Sequence, residues 1–243
     1  MSTRRKILIV FACFVVMCAV ILGLVYFKVL HPNDMFYGSY EMQGVDVSSY
    51  QGEIDWKVMS PNIDFAFIKA TEGSEYVDEK FEYNIKNVAD TELYYGAYHF
   101  FSYDSSGKEQ AEHFIKTVEK KSGMLAPVID LEFYGEYEKS PKDSSDVVPE
   151  VSDMAKALEE HYGVKPIIYA TGKSYDKYIK DSELADYPLW IRNVYFKPLF
   201  AGDWVFWQYS DDAKLAGYNG EEEHIDMNVF FGDKEKLKDY TIK

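Results

Sequence analysis

Residues 7 to 27 read ILIVFACFVVMCAVILGLVYF, 21 consecutive positions without a charge. Wound as a helix, such a run spans roughly 30 Å, the thickness of a bilayer's hydrocarbon core. A soluble core helix of this length would carry a polar stripe, and none is present. A cleaved export signal has a shorter apolar stretch and a small-x-small processing site. Leu24-Val25-Tyr26-Phe27 offers no such site. The expectation is an uncleaved transmembrane signal anchor over 7–27, in contact with membrane lipid. Arg4, Arg5 and Lys6 precede the span, whereas Lys28 alone follows closely. That asymmetry makes residues 1–6 a cytoplasmic basic tail and puts everything after the span outside the cell membrane.

Both cysteines, Cys13 and Cys18, lie within the span. The run Val10-Phe11-Ala12-Cys13 only loosely resembles a lipoprotein processing site, because its apolar lead is short and Phe11 is bulky. The exported part has no cysteine and must take its stability from a core. It is also strongly acidic. Three of the 26 basic side chains precede the span, so 23 stand against 41 acids in the remainder, a net of −18. A pI near 4.8 excludes a nucleic-acid surface, which needs clustered Lys and Arg. Residues 28–43 (KVLHPNDMFYGSYEMQ), with Pro32, Asn33 and Gly38 as breakers, read as an extracellular tether. Sixteen extended residues reach roughly 50 Å. Residues 44–243 are then the folded domain.

In that domain short apolar runs alternate with amphipathic stretches. Candidate strands are Gly44–Ser48, Phe65–Thr71, Tyr95–Phe101, Pro127–Phe133, Pro166–Thr171, Pro188–Val194, Trp204–Tyr209 and Ile225–Phe230. Helical periodicity marks Lys108 to Lys120 and Val147 to Tyr162, the latter with Gly163 as its stop. The pattern predicts an α/β fold, a β/α barrel of about eight strands. The connections before the last two strands are short for a helix each, which makes the barrel irregular.

The chemistry concentrates in Pro127-Val128-Ile129-Asp130-Leu131-Glu132-Phe133. Side chains alternate along a strand, so Ile129, Leu131 and Phe133 face covering helices while Asp130 and Glu132 share the other face. In a β/α barrel that inner face, near the strand C-termini, is the active-site mouth. Repulsion and partial burial raise the pKa of at least one of two such acids. The result is a proton donor beside an anion, the pairing glycoside cleavage uses. Asp46 and Asp226 sit among apolar neighbours in the first and last strands. Barrel closure brings those two together and around the same mouth. Four carboxylates could also hold a divalent cation, but no loop spacing supports one, and neither metal nor cofactor is expected. His99 has no G-x-S-x-G partner motif and reads as a hydrogen-bonded barrel residue.

The ordered set DVSSYQG (46–52), FAFIKATEG (65–73), GAYHFF (96–101), PVIDLE (127–132), IIYATG (167–172), PLWIR (188–192), FWQYS (206–210) and IDMNVF (225–230) resembles the glycoside hydrolase family 25 lysozymes, the Chalaropsis-type N-acetylmuramidases. The resemblance covers about residues 44 to 232. It implies an irregular, flattened barrel that hydrolyses the β-1,4 bond from N-acetylmuramic acid to N-acetylglucosamine in peptidoglycan. Glu132 would be the general acid and Asp130 would support the reacting centre. Asp46 and Asp226 would tune the pair and hold substrate. Tyr98, Tyr169 and Trp207 match substrate-lining positions, and Gln208 and Asn228 would orient carboxylates or substrate. Arg192 stands where the family more often has a small residue; at the mouth its charge would pair with an acid and lower that acid's pKa, or contact the substrate's lactyl or peptide carboxylate. Either a carboxylate or the substrate's own 2-acetamido group attacks the sugar. The segment Tyr134 to Asp146 is polar and reads as a wall of the groove. Other readings are a non-catalytic glycan-binding or scaffold protein on the same barrel, and a hydrolase of another N-acetylated glycan. Peptidoglycan strands and membrane lipid are the expected partners, with room for a membrane-associated protein complex; no wall-binding repeat is seen, so the anchor is the expected placement device.

Overall fold

Nine strands follow the N-terminal helix in this computed structural model, which describes residues 2–243. They are β1 (Met42–Val47), β2 (Phe65–Glu72), β3 (Tyr76–Val77), β4 (Tyr94–Phe100), β5 (Val128–Leu131), β6 (Ile167–Thr171), β7 (Leu189–Arg192), β8 (Phe206–Ala213) and β9 (Ile225–Phe230). The principal helices are α1 (Thr3–Tyr26), α2 (Trp56–Met59), α3 (Phe81–Val88), α4 (Gly107–Thr117) and α5 (Ser144–Tyr162). Pairing runs β1-β9-β8-β7-β6-β5-β4-β2, and β1 also pairs with β2, which closes eight strands into a barrel. The two-residue β3 extends the end of β2.

All eight expected strands form, with shifted ends. The irregularity has a chain-length cause. Parallel neighbours need a crossover of a dozen or more residues, usually a helix. Between β8 and β9 only residues 214–224 are available, without a helix. So β9 runs antiparallel to both β8 and β1, while every other barrel pairing is parallel.

Strand alternation sorts the side chains into two cores. Phe65, Phe67, Val128, Ile167, Trp190, Phe206 and Phe230 fill the barrel interior toward its base. Ile68, Ile129, Leu131, Ile168 and Ile191 point outward, against helical residues such as Phe114, Val151, Met154 and Leu158. Gly44 makes this interior possible: a Cβ there would sit 2.4 Å from the Phe65 ring. The expected helices are present. Ser106 and Glu109 form a capping box at the start of α4, and Gly163 closes α5 in the left-handed region at φ 74°.

Two expectations change. Residues 28–43 are not a free leash. Asn33 is buried, Tyr37 stacks on Tyr209 and Tyr40 packs near Trp204 and Trp207, so the segment lies along the barrel's outer face. The segment after Tyr134 is held by aromatic packing: Tyr134 and Tyr137 pack on Tyr103, and the Tyr103 amide donates to the Tyr134 hydroxyl. Its residues do not line the cleft at the barrel mouth.

Candidate active site

β5 sets up the site. Val128 points into the interior core and Ile129 out of it, so Asp130 points in again, one step nearer the mouth. Glu132 follows one residue beyond the strand's end and is half-buried at the opening. The Tyr103 hydroxyl donates to the Glu132 carbonyl at 3.0 Å and fixes that corner. Asp46 on β1 and Asp226 on β9 are direct cross-strand partners. All four acids line one cleft of about 340 Å³, together with Lys69, Tyr98, Phe100, Tyr169, Trp190 and Gln208.

Asp46 is served by a relay of oriented amides. The Trp190 indole donates to Asn228 Oδ1 at 2.9 Å, which turns the Asn228 amide nitrogen onto Asp46 Oδ1 at 2.6 Å. The Tyr169 hydroxyl donates to Gln208 Oε1 at 2.9 Å. That turns Gln208 Nε2 onto both Asp46 oxygens, at 3.0 and 3.1 Å, and onto Asp226 Oδ2 at 3.1 Å. The indole can only donate, which fixes the Asn228 amide; the Tyr169 hydroxyl can do either, and it donates because Gln208 turns its N–H groups to the acids.

Burial raises the pKa of all four carboxyls. The donors from Asn228 and Gln208 oppose that rise at Asp46. Asp226 is pushed well up, by burial and then by the Asp46 charge, with Arg192 opposing. Asp130 is pushed well up by burial and by Glu132, with Lys69 opposing. One Asp130 oxygen is sealed without a hydrogen-bond partner. Glu132 is raised by burial, and Arg192 pulls it back. The cleft therefore holds protons above the ordinary carboxylate range, with Asp46 the best-supported anion.

The other expected site residues separate. Tyr98 and Tyr169 line the cleft, and burial keeps both phenols protonated. Gln208 lines it as well, with its amide committed to the acids. Asn228 is fully buried and contacts Asp46 and Trp190, so it positions a carboxylate and does not face substrate. Trp207 is corrected outright. It is sealed in the outer core and its indole donates to the Asn193 carbonyl at 3.0 Å. The cause is alternation: Gln208 points into the mouth, so its neighbour must point out. Trp190 is the tryptophan that lines the cleft. Arg192 does not line it either; its guanidinium is spent on Asp211 at 2.7 Å and acts on the acids through its field. His99 lies on the outer side, between Thr71 at 2.7 Å and Gln110 at 2.9 Å, and burial lowers its pKa to about 4, so it is neutral.

Besides Trp190, the charged cleft residues Lys69 and Asp211 escaped the reading of the sequence. Lys69 continues the inward series Phe65, Phe67, Lys69, so the same alternation that exposed Asp130 marks it. It pairs with Glu72 at 2.7 Å and lies 4.8 Å over the Phe100 ring. Asp211 carried no local signal, since it gains its meaning from Arg192 and Lys28. Among the described residues no group of His, Cys, Asp and Glu is arranged to hold a metal ion.

A barrel whose open end gathers proton-holding carboxyls among aromatic rings is the equipment of a glycoside hydrolase. Comparison with known proteins makes this specific. Residues 45–218 match the model for glycosyl hydrolases family 25. A solved family 25 glycosyl hydrolase from Bacillus anthracis is 51% identical and superposes with a TM-score of 0.78, covering 83% of this chain and 94% of that one. The uncharacterized protein YegX of Escherichia coli K12 is 35% identical over 211 residues, 84% of this chain and 74% of the relative. Lysozyme M1 of Streptomyces globisporus is 29% identical over 214 residues, 81% of this chain and 70% of the relative. The chain belongs to glycosyl hydrolase family 25.

Proposed function

We propose that this hydrolase is a lysozyme of the muramidase kind, cleaving the β-1,4 bond from N-acetylmuramic acid to N-acetylglucosamine in peptidoglycan, while α1 holds it at the outer face of the cytoplasmic membrane. The observation that carries the reading is the Asp130–Glu132 pair, one acid deep and one at the opening, inside an aromatic-lined cleft. Relatives named lysozyme M1 and autolytic lysozyme support the substrate.

In this reading Glu132 delivers its proton to the leaving glycosidic oxygen. Burial raises its pKa and favours the protonated form that can donate. Asp130 is poorly suited to attack carbon, because burial and Glu132 favour its neutral form. Asp46 has its oxygens occupied by Asn228 and Gln208. Asp226 favours its neutral form, pushed well up by burial and the Asp46 charge. The attacking group that remains is the oxygen of the substrate's 2-acetamide, with Asp130 accepting the acetamide N–H. Glu132, now an anion, takes a proton from water as that water opens the cyclic intermediate.

The test of the chemistry uses the full chain in detergent on purified peptidoglycan, with new reducing ends identified after borohydride reduction. Muramic-acid ends are expected; glucosamine ends, or none at any pH, overturn the reading. For placement, the 24-residue α1 has none of its most apolar stretch buried in the protein. The chain should stay with membranes through alkaline carbonate and be digested by protease added outside. A shorter soluble product would replace the anchor with a cleaved signal.

A further inference from the structure

The end of α1 is a Schellman cap. The Lys28 amide donates to the Val25 carbonyl at 3.0 Å and the Val29 amide to the Leu24 carbonyl at 2.8 Å. Lys28 takes the left-handed position at φ 54°, the single non-glycine residue with positive φ among the described residues. Glycine is usual there, because a Cβ crowds the following carbonyl in that conformation. The turn delivers Lys28 to the barrel mouth, where its Nζ lies 2.6 Å from Asp211 Oδ1. The second Asp211 oxygen holds Arg192 at 2.7 Å, and Asp211 itself lines the cleft.

From that rim the chain descends the outer face of β8. Asn33 is 2% exposed, and its Nδ2 donates to the Tyr209 carbonyl at 2.8 Å and the Asn193 carbonyl at 3.0 Å. Tyr37 stacks on Tyr209 with 4.5 Å between ring centres and 12° between planes. Tyr40 lies 5.7 Å from Trp204 and 6.1 Å from Trp207. β1 then starts at the base, with Met42 opposite Phe230. The connections on either side of β8, residues 193–205 and 214–224, contain no helix. Trp207 and Tyr209 are therefore covered by residues 33–40, in the place a barrel helix would take. The segment is part of the core, and the core fixes where the membrane helix leaves: two residues from the cleft rim.

We infer that this docked segment holds the rim of the cleft at the lipid headgroup surface, so that the substrate is membrane-proximal glycan, the innermost strands and chains still joined to lipid, and not the distal wall. The inference rests on the anchored, glycan-cleaving reading above. A free tether of sixteen residues would permit roughly 50 Å of reach; docked, it leaves only Phe27 between α1 and the rim contact.

The experiment uses the full chain, with Cys13→Ala and Cys18→Ala, in phosphatidylglycerol–phosphatidylcholine vesicles bearing a headgroup quencher. A fluorophore is placed on Glu222→Cys, at the cleft, or on Glu235→Cys, at the barrel base. Several-fold stronger quenching at 222 than at 235 is expected. A Gly/Ser insertion of about 30 residues between Phe27 and Lys28 adds a mean span of about 30 Å and should erase the difference. Equal quenching, or more at 235, in protein that floats with the vesicles overturns the inference. Failure to float overturns the anchored reading instead. The substrate half is read as the ratio of turnover on lipid-linked glycan in the same vesicles to turnover on insoluble peptidoglycan. The insertion should lower it several-fold in vesicles and leave it unchanged in detergent; an unchanged ratio in both overturns the substrate assignment. No turnover in detergent would condemn the proposed chemistry, and the quenching result would still stand.

Discussion

The cleft contains two pairs of acids under opposite regimes. Asp46 and Asp226 are rich in donors: Asn228 and Gln208 aim N–H groups at them, and Trp190 and Tyr169 hold those amides in place. Asp130 and Glu132 have no such escort, and one Asp130 oxygen has no partner at all. Both pairs are buried, so burial alone does not distinguish them. The donors do. The N–H groups of Asn228 and Gln208 counter the rise at Asp46 and fix it as the anion of the cleft, and its charge pushes Asp226 well up beside it; Asp130 and Glu132, denied such donors, favour their protonated forms. The contrast separates a scaffold that shapes the cleft from a pair poised to move a proton.

The sharpest way to break that contrast is Glu132→Gln, which keeps shape and removes the proton. We expect kcat to fall by about 10²–10⁴-fold, the usual range for a lost general acid, with glycan binding retained in a pull-down on insoluble peptidoglycan. Turnover within tenfold of wild type would move the acid elsewhere. Next comes Gln208→Ala, aimed at the escorted pair. It strips donors from Asp46 and Asp226 and leaves the Tyr169 hydroxyl without its acceptor. Leaving buried groups unpaired should cost about 2–3 kcal/mol in urea unfolding, and loss of carboxylate alignment should lower kcat by about 100-fold. Unchanged stability would mean the relay carries no load.

Much of this was legible in the sequence wherever period two held. Alternation across 127–133 placed Asp130 inward, and the same rule brought Asp46 and Asp226 to the mouth once the barrel closed. Trp207 shows the danger of reading a motif without its phase: FWQYS drew attention to the ring, although Gln208 in the mouth already required Trp207 outside. The docked segment was missed for a different reason. Pro32, Asn33 and Gly38 suggested a leash, and the weight of Phe36, Tyr37 and Tyr40 in so short a stretch was the contrary signal. What Tyr37 and Tyr40 cover, the outward face of β8, is a long-range fact that no local pattern encodes. Asp211 is the same case, since its partners lie 19 and 183 positions away.

A smaller effect tests the proton-holding side through stability. Asp130 has a folded pKa well above its ordinary value. The protonated form is therefore favoured by folding, and that contribution is complete below the unfolded value near pH 4. It is lost as pH rises through the folded value. Asp130→Asn mimics the neutral form at every pH. It should raise the melting temperature relative to wild type at pH 8 and leave it nearly unchanged at pH 4. A gain at pH 4 equal to that at pH 8 would show that the wild-type carboxyl is not carrying the proton.

The smallest expected change comes from Arg192→Gln. Burial raises the Glu132 pKa, and the Arg192 charge is the largest influence pulling it back down. The guanidinium reaches Glu132 only through space, since its direct partner is Asp211. Removing it should leave kcat at the optimum within about tenfold and move the alkaline limb of kcat/KM to higher pH, because Glu132 then keeps its proton longer. Lys69→Gln is the companion, since Lys69 opposes the rise at both Asp130 and Glu132. If the limb moves with either cation, Glu132 titrates in the field of both and the donor-poor pair sets the working pH. If it stays put with both, the group that limits activity at high pH is not Glu132, and the division between the two pairs must be redrawn.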